Sequence, residues 1–214
     1  MIPLDSLIAQ CAPFVAPTTL SAIVRVESGG NPLAMWNNTT GQRILPPNRA
    51  AAMAYLQKAM TAGQKIDVGI AQVDTENFAA FGLTPFNAFD ACTNLRVGAQ
   101  ILSAGYRRAV AQFGPGQVAL FHAFEAYNSG RLWGDAIYAN RILRSAGIPV
   151  YVQSSGHMVF RRLAYVLSWG AYPVRATPVQ AGKAQNPSAA AYVLRWSSGP
   201  ETTRQTTPIL QQQR

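Results

Sequence analysis

Apolar residues recur at helical spacing from the start of the chain. Leu4, Leu7, Ile8 and Cys11 share one face, and Pro13 closes that short helix. After Pro17, Thr18 is the expected cap of a second helix reaching about Ser28, with Leu20, Ile23 and Val24 as its buried stripe. Glu27 lies seven, four and three residues beyond them and so extends the same stripe. Gly29-Gly30-Asn31-Pro32 then stops the helix, and residues 33–47, rich in Asn, Thr and Pro, read as loop or a small hairpin.

Asn48 is placed to cap a helix through Met60, closed by Gly63. The stretch Asp67-Val68-Gly69-Ile70-Ala71-Gln72-Val73 is short and broken by glycine, and Thr75 is the expected cap of a helix carrying Phe78 and Phe81. Asp90 precedes the longest helix, about residues 92–113, whose seam is Leu95, Leu102, Tyr106 and Ala109. Gly114-Pro115-Gly116 breaks it. Two more helices, about 117–127 and 135–146, flank Asn128-Ser129-Gly130. Helices joined by short breaks predict a mainly α domain with a small loop or hairpin lobe.

Past Gly147 the pattern weakens. Residues 148–152 read as a strand and 158–169 as a helix, whereas from Pro173 onward Pro, Gln, Thr, Ser and Ala dominate and periodicity fades. The expected organisation is one domain over residues 1–146 and a basic, partly disordered C-terminal extension over 147–214.

Charge sharpens that division. Of a formal +9, residues 1–135 contribute +1, from nine Lys/Arg against eight Asp/Glu, and residues 136–214 contribute +8, from nine against one. Attraction to nucleic acid, an anionic membrane or an anionic polymer such as the bacterial wall therefore belongs to the C-terminal part. The first part lacks the clustered cations that binding a nucleic-acid backbone needs, so no nucleic-acid partner is expected there.

There is no transmembrane-length apolar run, and Met1-Ile2-Pro3-Leu4-Asp5 is not a basic start followed by an apolar core. Cys11 and Cys92 are too far apart for a zinc-site pattern and fit either one disulfide or two buried thiols. His122 and His157 are isolated, and neither a phosphate loop nor a Ser-His-Asp set can be assembled, so no cofactor and no metal are expected.

Only 13% of the chain is charged, so each carboxylate is informative. Glu27 combines an apolar helix face with the last turn, where unpaired carbonyls disfavour negative charge. Desolvation acts in the same direction, and a group held protonated near neutral pH is what general-acid chemistry requires. The ordinary alternative is a Glu bent into solvent at a frayed helix end. Asp67, Asp74 and Glu76 could supply a second carboxylate but fit a turn and a helix start. Glu125 is the rival catalytic acid, against an ordinary reading as an exposed or locally paired mid-helix residue. Trp36 and Trp133 could stack on a ligand or simply pack.

Three separated motifs decide between these readings. Glu27-Ser28-Gly29-Gly30-Asn31-Pro32, Gly69-Ile70-Ala71-Gln72-Val73 and Ala126-Tyr127-Asn128-Ser129-Gly130 together resemble the Glu-Ser, Gly-Leu-Met-Gln and Ala-Tyr-Asn-Ala-Gly motifs of the goose-type-lysozyme-like (SLT) lytic transglycosylases. The resemblance covers about residues 4–146. It is closest to the branch tied to type IV secretion and conjugation, through Cys11-Ala12-Pro13, Asp67-Val68-Gly69 and Phe89-Asp90-Ala91-Cys92-Thr93-Asn94-Leu95-Arg96. Ala71, Val73 and Ser129 depart from the usual motif residues, which touches packing more than chemistry.

The resemblance implies a lysozyme-like α+β fold, a disulfide between Cys11 and Cys92, and a periplasmic protein exported by a removed leader or another route. It also implies cleavage of the β-1,4 bond between N-acetylmuramic acid and N-acetylglucosamine in peptidoglycan glycan strands. Glu27 would be the acid and then the base. Gln72 would bond the glycan, Tyr127 would orient Glu27 through its hydroxyl, and Ser28 and Asn128 would line the cleft. The competing expectations are a hydrolytic muramidase on the same fold and a weakly active wall-binding assembly module.

Overall fold

A computed structural model describes residues 2–147 and the short segments 151–152 and 158–159. Helix α1 (Leu4–Cys11) packs on α2 (Pro17–Glu27), and the Ser21 hydroxyl of α2 donates to Asp5 of α1. Ala16, not Thr18, occupies the cap of α2. Pro17 starts the helix itself, where its missing N–H leaves nothing unpaired and Thr19 is free to turn inward. The expected stripe of Leu20, Ile23 and Val24 is fully buried.

The segment read as loop or hairpin is the hairpin of β1 (Met35–Asn37) and β2 (Gln42–Ile44). After α3 (Arg49–Thr61), capped by Asn48 as expected, β3 (Ile66–Val68) and β4 (Val73–Asp74) complete an antiparallel sheet in the order β2-β1-β3-β4. Asp74 rather than Thr75 caps the next element, a 3-10 turn over Thr75–Asn77 that leads into α4 (Phe78–Phe81). Its carboxylate accepts from Glu76 N at 2.7 Å, and Thr75 is turned back so that its hydroxyl accepts from Ile66 N.

The core is organised on α5 (Ala91–Phe113), whose first turn is capped by Asp90. Helix α6 (Gln117–Ser129) lies along it, and α7 (Ala136–Ser145) packs on both α6 and α2. Leu95, Leu102 and Ala109 of α5 and Leu120, Ala123 and Phe124 of α6 are completely buried at this seam. Cys11 and Cys92 form a disulfide that joins the end of α1 to the start of α5.

Among the described residues no helix is long and apolar enough to cross a membrane. In the C-terminal part, β5 (Tyr151–Val152) pairs with β6 (Met158–Val159), so the helix expected over 158–169 is replaced by a strand at its first two residues. A short β-branched and aromatic run satisfies its backbone by pairing as readily as by helix formation, which the period alone does not decide. The rest of that expectation, and the expected disorder from Pro173 onward, lie outside the described residues.

Candidate active site

The site forms where the C-terminal end of α2, the sheet and α7 meet. A cleft of about 320 Å³ is lined by Arg25, Val26, Glu27, Gly29, Ala34, Met35, Trp36, Arg43, Gln72 and Arg141. A larger depression of about 470 Å³ on the outer face of α3, lined by Ala54, Gln57, Lys58, Thr61 and Ala62, holds no acid or nucleophile positioned for chemistry.

Glu27 is half-buried, and its Oε1 accepts a hydrogen bond from the hydroxyl of Tyr138. Tyr138 itself is buried on α7. The motif resemblance implies an orienting role for Tyr127 as well, whose hydroxyl donates to the Ala71 carbonyl at 2.6 Å. Tyr127 thus ties α6 to the Gln loop, and α7 supplies a donor to the carboxyl. Sequence reasoning misses Tyr138 because α7 carries no motif near it. The available signal is its place on the buried face of a helix with Ala139 and Ile142.

The loop 69–72 is held from several sides. Ser28 is buried, and its hydroxyl donates to the Ile70 carbonyl at 2.7 Å while accepting from Gly30 N at 3.1 Å. Ser28 thus fastens the end of α2 to the loop. Asn94 of α5, which the motifs do not single out as a site residue, accepts from Ala71 N at 2.8 Å and donates to Val68 and Ala88 carbonyls at 2.9 and 3.0 Å.

Two glycines make these approaches possible. A Cβ on Gly98 would lie 2.7 Å from Ala71 Cβ and 2.9 Å from the Tyr127 hydroxyl, and one on Gly69 would lie 2.6 Å from Asn94 Nδ2. Gln72, which does line the cleft, holds a left-handed backbone at φ 50°, and its Nε2 donates to Ala34 and Gly69 carbonyls at 2.9 and 2.7 Å. Both amide hydrogens are thereby used to brace the cleft floor.

Asn128 Nδ2 donates to Asp135 Oδ2, while Asp135 Oδ1 caps α7 by accepting from Tyr138 N at 3.3 Å. Beside it, Glu125 is neither exposed nor catalytic in setting. Its Oε1 accepts from Asp135 N at 3.0 Å, and its Oε2 lies 2.5 Å from His122 Nδ1, which also faces the Leu132 carbonyl at 2.7 Å. Burial pushes the Glu125 carboxyl above the usual range, and the hydrogen bond from His122 holds it part of the way down. Asn128 of the Tyr-Asn motif thus helps to fix the start of the helix that carries Tyr138.

Trp36, 36% exposed, lines the cleft, whereas Trp133 packs its ring on His122 and Phe113. Asp67 and Asp74 are cross-strand partners and wholly buried. Burial raises Asp74 above the ordinary carboxylate range, partly offset by its bond from Glu76 N. Glu76 is turned outward to Lys65 at 2.8 Å. Among the described residues, Glu27 is the one carboxylate lining the cleft.

Residues 6–136 match the family model described as the transglycosylase SLT domain. The chain is 40% identical over 156 residues to the type IV secretion system protein virB1 of Brucella suis biovar 1, covering 72% of this chain and 62% of that protein. It is 40% identical over 121 residues to protein virB1 of Agrobacterium fabrum, covering 56% of this chain and 49% of that one. The chain thus spans less than two thirds of the length of these curated relatives. No solved structure matches it.

Proposed function

The chain belongs to the transglycosylase SLT domain family, and from that premise we propose that it is a peptidoglycan lytic transglycosylase with Glu27 as its single acid and base. The supporting observation is that Glu27 is, among the described residues, the one carboxylate lining the cleft, held by the Tyr138 hydroxyl. A hydrolase of the common type needs a second carboxylate to serve as nucleophile or to activate water. Asp67 and Asp74, the acids nearest the Gln motif, are sealed in the sheet.

With one carboxyl the reaction closes on the substrate itself. Glu27 gives its proton to the glycosidic oxygen as the C1–O bond of the muramoyl residue breaks, and the sugar's acetamido group stabilises the cation. The Glu27 carboxylate then takes the proton from the muramoyl C6 hydroxyl, whose oxygen bonds to C1. The products are a 1,6-anhydromuramoyl end and a new N-acetylglucosamine end. Glu27 recovers its proton and no water is consumed.

In this reading the Gln72 loop forms the cleft floor, Trp36 offers a ring to a sugar face, and Tyr127, Ser28 and Asn128 position the elements around them. The name of the Brucella relative, a type IV secretion system protein, supports a role in type IV secretion, and the proposed activity would serve it by opening the wall locally in the periplasm. The extension over 147–214 would add attraction to anionic wall or to secretion components. Digesting purified peptidoglycan with wild type and Glu27→Gln tests the assignment: anhydro-muropeptides from the wild type and at least a thousandfold less from the variant are expected. Reducing ends without anhydro products would identify a hydrolytic muramidase, and equal clearing by both proteins would identify a wall-binding module.

A further inference from the structure

The cleft carries more positive charge than a neutral glycan requires. Arg43 extends from β2 directly across from Trp36 on β1, so the guanidinium and the indole share one face of the sheet. Arg141 projects from the exposed side of α7, one turn after Tyr138, and Arg25 precedes Glu27 by two residues on α2. All three line the cleft and all three are exposed. Arg25 donates to the Ser145 carbonyl at 3.3 Å. Among the described residues, Arg43 and Arg141 have no carboxylate partner, the Lys65–Glu76 contact being the ion pair made by a Lys or Arg.

Three guanidinium groups line the cleft beside a single carboxyl, Glu27, so the lining is basic in balance. Guanidinium groups recognise carboxylates through paired N–H donors, and a concave setting strengthens that interaction relative to an open surface. A β-1,4 glycan of N-acetylated sugars offers no such group while its lactyl carboxyl is amide-linked. The peptide stem that hangs from that lactyl group does.

We propose that Arg43 and Arg141, assisted by Arg25, bind carboxylates of the peptide stem, so that the substrate class is peptide-bearing glycan and not stripped glycan. The proposal rests on the transglycosylase reading for its substrate. Its core, carboxylate recognition by the two cleft walls, is measurable without catalysis. The arginines act on binding, so their loss falls mainly on KM.

The test compares three soluble strand preparations: native peptide-bearing strands, the same strands with stem carboxylates converted to amides, and strands stripped by an amidase. For wild type, kcat/KM is expected to be about tenfold lower on amidated and on stripped strands than on native ones. The double variant Arg43→Gln/Arg141→Gln should lose about tenfold on native strands, mostly in KM, and its native-to-amidated ratio should shrink to less than about twofold. Arg107→Gln, an exposed change on α5 outside the cleft, controls for net charge and should retain the wild-type ratio. Affinities measured with Glu27→Gln protein should follow the same order.

Equal wild-type rates on native and amidated strands, or a preference that survives in the double variant, overturns the proposal. Stripped strands that bind as well as native ones, with amidated strands weak, would move recognition to the freed lactyl carboxylate and overturn the stem assignment. If no preparation yields anhydro product while Glu27→Gln protein still prefers native over amidated strands, the transglycosylase reading fails and carboxylate recognition stands.

Discussion

Replacing Tyr138 by Phe isolates what the donor on Glu27 contributes. The ring of Tyr138 is 3% exposed and packed in α7, so Phe keeps the filling of the site and removes a single hydroxyl. That hydroxyl bonds an ionisable carboxyl, an interaction worth about 1.5–3 kcal/mol. If its value is expressed when the carboxyl must point at the glycosidic oxygen, kcat falls about 10- to 150-fold, at roughly tenfold per 1.4 kcal/mol. Stability should fall by only about 1 kcal/mol, because Glu27 is half-buried and can regain water. The assay is release of anhydro-muropeptide over a range of substrate concentrations, alongside thermal unfolding of the same samples. A positioning role predicts loss in kcat with little change in KM, and no further loss when Tyr138→Phe is added to Glu27→Gln. A kcat within threefold of wild type, accompanied by a lowered unfolding midpoint, would show that the bond is structural and refute the reasoning.

Two further outcomes concern stability. The disulfide closes a span of 81 residues, for which chain-entropy arguments give about 4.5 kcal/mol at 25 °C; Cys11→Ala/Cys92→Ala should lower the unfolding free energy in denaturant titration by about 2–4.5 kcal/mol, and a loss under 1 kcal/mol would contradict this. Burial raises the Asp74 carboxyl, so the folded state holds its proton more tightly than the unfolded chain. Its contribution is fully present below the unfolded carboxylate value and is lost as pH rises through the folded one. Asp74→Asn keeps the acceptor for Glu76 N and removes that titration, so its unfolding midpoint should decline less than that of the wild type from pH 4 to 8; parallel curves would refute the assignment.

Most of the helical frame was legible because its signals are local. Asn48 and Asp90 cap helices at the positions their sequence contexts indicate, and glycines end α4 and α6 in left-handed turns. The sheet was only half legible: strands of two or three residues are too short to show alternation, and Val68 and Asp67 are buried on opposite faces. At the site, Glu27 and Gln72 fall where the motifs indicate, on the cleft. Ser28 and Tyr127 donate to backbone carbonyls and Asn128 Nδ2 to a neighbouring side chain, contacts set by long-range packing that residue type does not reveal. Tyr138, Arg43 and Arg141 enter through register and helix phase, without any motif of their own.

The left-handed Gln72 has a consequence for how this site comes into being. A non-glycine residue in that conformation is uphill by about 1–2 kcal/mol, so the loop does not take its shape by itself. Its restraints come from Ala34, Ser28, Asn94 and Tyr127, drawn from four separate stretches of chain. The cleft floor is therefore a late product of assembly, absent until the helices and the sheet have docked. Grafting the Gly69–Val73 segment onto another scaffold would transfer its letters without its geometry, and a nascent or clipped chain lacking α6 would carry Glu27 with no finished place to use it.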